Sequence, residues 1–214
     1  EEIVADRVAR LTAYQNAAYA QRYRALVERV RAADRDPAQR LSQAVARSYY
    51  KLLAYKDEYE VARLYSDGEF LRQLEAQFQG DYRLQFHLAP SWLCKTDPTT
   101  GEPRKREFGP WLLKAFAMLA RGKFLRGSVL DPFGHSAERK LERALIGEYE
   151  QDVALLLGAL NPGNYASALA LAELPAEIRG YGHVKERALA KVRAQAAVLR
   201  ERLSTRTIPV VQLC

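Results

Sequence analysis

The segment from Arg104 to Glu150, RKREFGPWLLKAFAMLARGKFLRGSVLDPFGHSAERKLERALIGEYE, restricts the possible folds more than any other stretch. It holds a basic triplet and two turns built from Gly, Pro and an aromatic ring, Phe108-Gly109-Pro110-Trp111 and Asp131-Pro132-Phe133-Gly134. It also contains the two most apolar helical patterns of the chain. Clustered Gly and Pro interrupt regular structure, so helices must begin and end here. The spacing predicts a helix from about Pro110 to Ala120, a Gly-rich connection, and a helix from about Ser136 to Leu160. Ser136 is the expected cap of the second, and Asn161-Pro162-Gly163 its stop.

Periodicity carries the reading outward from that segment. Val4, Val8, Leu11, Ala18, Leu26 and Val30 recur at helical steps, which predicts one long amphipathic helix over residues 1 to about 32. Asp36-Pro37 reads as a helix start, and Leu41, Val45, Ser48, Leu52, Tyr55, Tyr59 and Ala62 fall in line behind it as a second long helix. Asp67 is the expected cap of a third, ending near Gly80. The period then changes: Tyr82, Leu84, Phe86 and Leu88 alternate with Arg83, Gln85 and His87, as in a half-buried strand. Lys95 to Pro103 reads as a loop and Arg104 to Phe108 as the partner strand. Short helices at Ala166 to Glu173 and Pro175 to Arg179 lead through Gly180-Tyr181-Gly182 into a last helix ending near Leu203. The expected fold is mainly α: a multi-helix, bundle-like domain over residues 1–203 with a small embedded β-hairpin. Residues 204–214 are expected to form a disordered or truncated tail.

A chain of 214 residues buries roughly 70% of its unfolded surface, so a sizeable core is available. No apolar run approaches the about 20 residues that a membrane span needs, and no secretory leader is visible. The chain starts at Glu1-Glu2 without Met, which reads as a piece of a longer polypeptide. Two cysteines, Cys94 and Cys214, are too few for a disulfide framework, and a reducing cytoplasm is the expected location. The net charge of +7 is uneven: residues 104–126 and 179–206 each carry +6, leaving −5 for the remainder. Such a polarised surface fits docking onto an acidic neighbour. It also admits nucleic-acid binding as a second reading, although most Tyr and Phe residues fall at core spacings and not where bases would stack.

Site chemistry is sparse. His87, His135 and His183 are widely separated, and none has a Glu three residues before it. Ser136 follows His135 directly, which is not a base–nucleophile arrangement, and Cys94 beside Trp92 lacks a partner base. Gly122 to Gly127 and Gly180 to Gly182 lack phosphate-loop or dinucleotide spacing. Glu58, Glu60, Glu142, Glu148 and Glu150, with Lys56 and Asp57, read as water-facing charges on amphipathic helices.

Four strings in order, Ala54-Tyr-Lys-Asp-Glu-Tyr-Glu-Val-Ala-Arg-Leu64, Lys105-Arg-Glu-Phe-Gly-Pro-Trp-Leu-Leu-Lys114, Asp131-Pro-Phe-Gly-His-Ser-Ala-Glu-Arg139 and Ile178-Arg-Gly-Tyr-Gly-His-Val-Lys-Glu186, carry a family resemblance. They resemble the C-terminal domain of the large fused indolepyruvate ferredoxin oxidoreductases of bacteria, over nearly the whole chain apart from the last ten or so residues. The resemblance implies a parent that decarboxylates aryl pyruvates with thiamine diphosphate and Mg, passing electrons through iron-sulfur clusters to ferredoxin. This segment has no Gly-Asp-Gly with a downstream Asn for the diphosphate, and too few cysteines for a cluster, so no cofactor is expected within it. The expected role is a non-catalytic structural or docking domain whose partners are other domains or subunits of the parent. Arg104, Lys105, Arg106, Trp111, His135 and Arg139 are the expected contact residues, because turns combining charge and aromatics are frequent binding surfaces. A small independent catalyst using His135 or His183 is the rival enzymatic reading.

Overall fold

A computed structural model describes residues 2–80, 83–88, 106–180 and 182–204. In chain order the described helices are α1 (Glu2–Tyr14), α2 (Ala17–Ala33), α3 (Arg40–Leu53), α4 (Glu58–Ser66), α5 (Glu69–Gln77) and α6 (Leu112–Arg121). They continue with α7 (Ala137–Ala159), α8 (Tyr165–Glu173) and α9 (Gly182–Ser204). Strands β1 (Phe86–Leu88) and β2 (Arg106–Phe108) form an antiparallel pair, and 3-10 turns occupy Gly122–Leu125 and Leu174–Glu177. The fold is mainly helical with a small hairpin, as the periodicity predicts. The chain divides into two compact units: unit 1 comprises residues 1–55 and 134–214, and unit 2 residues 56–133. Tyr82, Trp92, Cys94, the loop Lys95 to Pro103, Arg104, Lys105, Tyr181 and residues 205–214 lie outside the described residues.

Unit 1 shows where local pattern and tertiary demand part. The single helix expected over residues 1 to about 32 is two helices. Asn16 is extended, and its Oδ1 accepts from the Tyr19 amide at 2.8 Å, satisfying a free donor of α2. The second long helix also divides, with α3 ending at Leu53 and a new start at Glu58. Asp36 does not cap a helix at Pro37, because α3 begins at Arg40 after Gln39 adopts a left-handed conformation (φ 49°). The free amides of α3 are met from several directions. The Tyr165 hydroxyl accepts from Leu41 N at 3.1 Å, and buried Asp34 accepts from Ser42 N at 2.9 Å and Ser42 Oγ at 2.8 Å. Burial pushes the Tyr165 hydroxyl up to about 12. At α7 the expectation holds, since Ser136 Oγ accepts from Arg139 N at 3.3 Å.

The core of unit 1 is unusually rich in tyrosine. Tyr23, Tyr49 and Tyr149 stack in series, with ring centroids 6.0 Å apart at each step, among Val30, Leu41, Val45, Leu53, Val153 and Leu156. Each such apolar side chain contributes about 1.5–3 kcal/mol by leaving water. A buried phenol must also place its hydroxyl. Tyr14 donates to Tyr55 O at 2.9 Å, Tyr23 to Ala46 O at 3.1 Å and Tyr149 to Ala172 O at 3.0 Å. Tyr49 donates instead to Glu150, whose carboxylate also takes the Arg22 fork at 2.6 and 2.8 Å. Lys51 sends its ammonium to three carbonyls, of Pro175, Ala176 and Ile178, at 2.7–3.1 Å, closing the end of the second 3-10 turn.

Unit 2 packs α4 against α6 around Ala62, Phe86, Leu112 and Phe116, with Tyr65 stacked on Phe116 at 5.5 Å. The hairpin pairs Phe86 with Phe108, His87 with Glu107 and Leu88 with Arg106. Beneath it, Asp57 caps α4 by accepting from Glu60 N at 2.8 Å and holds the Arg126 fork at 2.5 and 2.9 Å. Both side chains of this ion pair are only 3% exposed. The Arg126 guanidinium also lies over the Tyr59 ring at 5.6 Å, and Tyr59 donates to Asp131 at 3.1 Å. Asp131 in turn accepts from Gly127 N and Phe133 N, so the turn 126–133 is tied to the start of α4. The reading of Asp57 as a water-facing charge is therefore corrected: it is a buried cap and counter-ion. Gly122 lies close against the Tyr59 ring: a Cβ there would meet it at 3.2 Å, so a larger residue needs the ring to give by a few tenths of an ångström.

Two predictions follow from these networks. Asp57→Asn and Arg126→Met should each lower the stability of unit 2 by about 3–5 kcal/mol, since each strands a buried partner, while the double variant should cost clearly less than the sum. Hydrogen exchange of the α4 amides during denaturant titration reads this coupling. For Glu150, burial acts to raise its carboxyl, but bonds from Arg22 and Tyr49 outweigh that and hold it below the usual glutamate range. A depressed folded value means stability that is present above the unfolded value of about 4.3 and lost as pH falls through the folded one. Glu150→Gln should thus be less stable than the wild type at neutral pH, with a shallower loss of stability below about pH 4. Thermal melts across that range check both limbs.

Candidate functional site

The sequence of α6 is apolar almost all round, and packing decides which side is used. Leu112 and Phe116 are buried one turn apart, with Leu119 and Ala120 half-buried beside them. Residues 111, 115 and 118 lie on the opposite side at helical spacing, flanked by 114 and 121. Trp111, which already has helical dihedrals, is 61% exposed, and Met118 is 78% exposed. Phe124, in the 3-10 turn that continues α6, is 72% exposed. Large apolar groups placed at adjacent positions on an outer face are the usual mark of a contact surface.

The charge on this face has one sign. From Leu112 to Leu125 the chain carries Lys114, Arg121 and Lys123 and no carboxylate. Lys114 and Arg121 are exposed and make no ion pair among the described residues. Burial, with Arg63 and Arg126 nearby, pushes the Lys123 amine below the usual lysine value. Arg126, just beyond this stretch, is paired with buried Asp57.

The second basic window is disposed of quite differently. On α9, Lys185 pairs with Glu142, Arg193 with Glu148 at 2.6 Å and Arg200 with Asp152 at 2.5 Å, while Lys191 reaches Glu177 at 3.5 Å. The three α7 acids and their α9 partners ascend in the same order, so the two helices run parallel and zip along one seam. Four cations of this window are thus met by carboxylates of the same unit. Glu142, Glu148 and Glu150 are ion-pair partners and not the free water-facing charges the pattern implies, and Glu60 likewise pairs with Arg63 at 2.8 Å.

The expected contact residues are distributed over both units. In unit 2, Arg106 is exposed on β2 and Trp111 is exposed with its ring 6.1 Å from that of Phe108. Arg104 and Lys105 lie outside the described residues. In unit 1, His135 is exposed just before the α7 cap, and Arg139 sits half-buried over the Tyr55 ring at 5.8 Å. Lys114, Met118, Arg121 and Phe124 escaped the sequence reading. The signal they offer is helical spacing from Trp111 for Lys114, Met118 and Arg121, which in a largely apolar helix does not reveal the solvent side.

Other candidates resolve into structure. Lys51, whose amine burial pushes below the usual value with help from Arg179 and Lys185, has its donors occupied by carbonyls. His87 faces Glu107 across the hairpin at 3.8 Å. Among the described residues no group of three or more His, Cys, Asp or Glu is placed to hold a metal ion. Among them, too, no helix is long and apolar enough to cross a membrane.

No curated protein matches the chain, and no solved structure matches it. A family model described as "Family of unknown function (DUF6537)" matches residues 1–198, and the chain belongs to that family.

Proposed function

We propose that this domain is a non-catalytic docking and assembly module of a cytoplasmic, thiamine-diphosphate-dependent indolepyruvate (2-oxoacid) ferredoxin oxidoreductase. In this reading thiamine diphosphate, Mg and the iron-sulfur clusters reside in other parts of the parent. The observation that carries the docking role is the outer face of α6, where Trp111 and Met118 meet water with Phe124 following. Leaving such groups exposed forgoes about 1.5–3 kcal/mol for each that burial would recover, and a partner surface recovers it. The four strings resembling the C-terminal region of those oxidoreductases supply the parent. The charged groups that might have served acid–base chemistry are engaged elsewhere: Asp57 with Arg126, Glu150 with Arg22 and Tyr49, Asp152 with Arg200.

Trp111→Ser combined with Met118→Asp, made in the full parent enzyme, should weaken assembly about tenfold or more in analytical ultracentrifugation. Indolepyruvate turnover should fall in parallel, while the helical signal of the domain is kept. The isolated chain, supplied with thiamine diphosphate and Mg, should release no carbon dioxide from indolepyruvate. Unaided decarboxylation, or full assembly and turnover in the double variant, would rule the reading out.

A further inference from the structure

The partner of the α6 face can be specified further, on the footing of the docking role proposed above. Three observations bear on it. Trp111, Ala115 and Met118 form an apolar strip about two helical turns long, and Phe124 follows at its end. Lys114 and Arg121 border the same strip, exposed and without an ion pair among the described residues. From Leu112 to Leu125 no carboxylate answers them locally.

The contrast with α9 gives these facts their weight. On α9, Lys185, Arg193 and Arg200 meet Glu142, Glu148 and Asp152 of α7, while Arg187 and Arg202 are exposed with no ion pair among the described residues. On α6 neither exposed cation has an ion pair among the described residues, and both lie beside the exposed Trp111 and Met118. An apolar strip edged by cations is complementary to an apolar strip edged by carboxylates. From this complementarity we infer that the α6 face binds an acidic amphipathic segment of a protein partner: an apolar helix stripe with Glu or Asp along its borders. Trp111 and Met118 are the anchors, and Lys114 and Arg121 set the register and the preference for acidic over basic partners.

Trp111 reports on its own face. The chain has two tryptophans, so Trp92→Phe leaves Trp111 as the sole emitter. The full chain with that change is titrated with a designed helical peptide of roughly 18 residues, carrying a Leu stripe bordered by Glu. A Lys-bordered counterpart and vesicles of phosphatidylserine in phosphatidylcholine are the comparison probes. The Glu peptide should give a saturable blue shift that weakens several-fold as salt is raised. Lys114→Glu with Arg121→Glu should raise its Kd about tenfold, and Met118→Asp should abolish the shift. The Lys peptide should give none.

Equal binding of both peptides, no shift with the Glu peptide, or a shift with vesicles alone would each overturn the acidic partner. If Trp92→Phe disturbs folding, the difference between the native chain and its Trp111→Phe variant gives the same readout. The two levels separate cleanly. Loss of parental assembly without a Glu preference defeats only the partner chemistry, whereas intact assembly in the Trp111 and Met118 variant defeats the docking role itself.

Discussion

A charge removed from water needs an opposite charge or a set of dipoles, and this requirement shapes the protein more than any single apolar contact. The buried Asp57–Arg126 pair shows its strictest form. Desolvating two ions costs several kcal/mol each, and the pair is tolerable because the fork is bidentate, Asp57 also caps α4, and Arg126 also covers the Tyr59 ring. Glu150 with Arg22 and Tyr49, Asp34 with Ser42 and Tyr165, and Lys51 with its three carbonyls follow the same rule in unit 1. These links join segments far apart in sequence, so they select one arrangement of helices out of the many that apolar packing alone would allow.

That rule also explains what the sequence could and could not disclose. Helix positions were legible because apolar spacing is a local property: the elements at α5 to α9 fall close to their expected ranges. The hairpin was legible for the same reason, from the alternation around Phe86. The two long helices were misjudged at Asn16 and at residues 54–57, where the apolar period continues through a break that a side-chain cap enforces. Asp36-Pro37 offers a standard start, yet α3 begins at Arg40: Asp36 still accepts from Arg40 N at 3.4 Å, Asp34 takes Ser42 N, and Tyr165, more than a hundred residues away, takes Leu41 N. The last of these contacts is one no local pattern contains.

Charge was misread for a related reason. Composition shows two windows of equal surplus, but a surplus in sequence is not a surplus in space. Four cations of the α9 window are answered by Glu142, Glu148, Asp152 and Glu177, whereas on α6 Lys114 and Arg121 have no ion pair among the described residues. Nothing in the two windows distinguishes them until the helices are placed side by side. The carboxylates show the mirror image: each reads as solvent-facing by itself, and only the packing of α7 beside α9 brings Glu142 and Glu148 to their cations.

The α6 face then follows as a remainder. Trp111 is an expected contact residue, but a helix that is apolar almost all round gives no sign of its inner face. Packing of Leu112 and Phe116 against α4 and the hairpin uses one side, and the other keeps Trp111 and Met118 in water with two cations beside them. On α9 most of the cations are met by carboxylates of the same unit, which shows how such a row is closed from within. On α6 the apolar groups and the two cations share one outer face, and that coincidence of exposed ring, thioether and charge is what the docking proposal rests on.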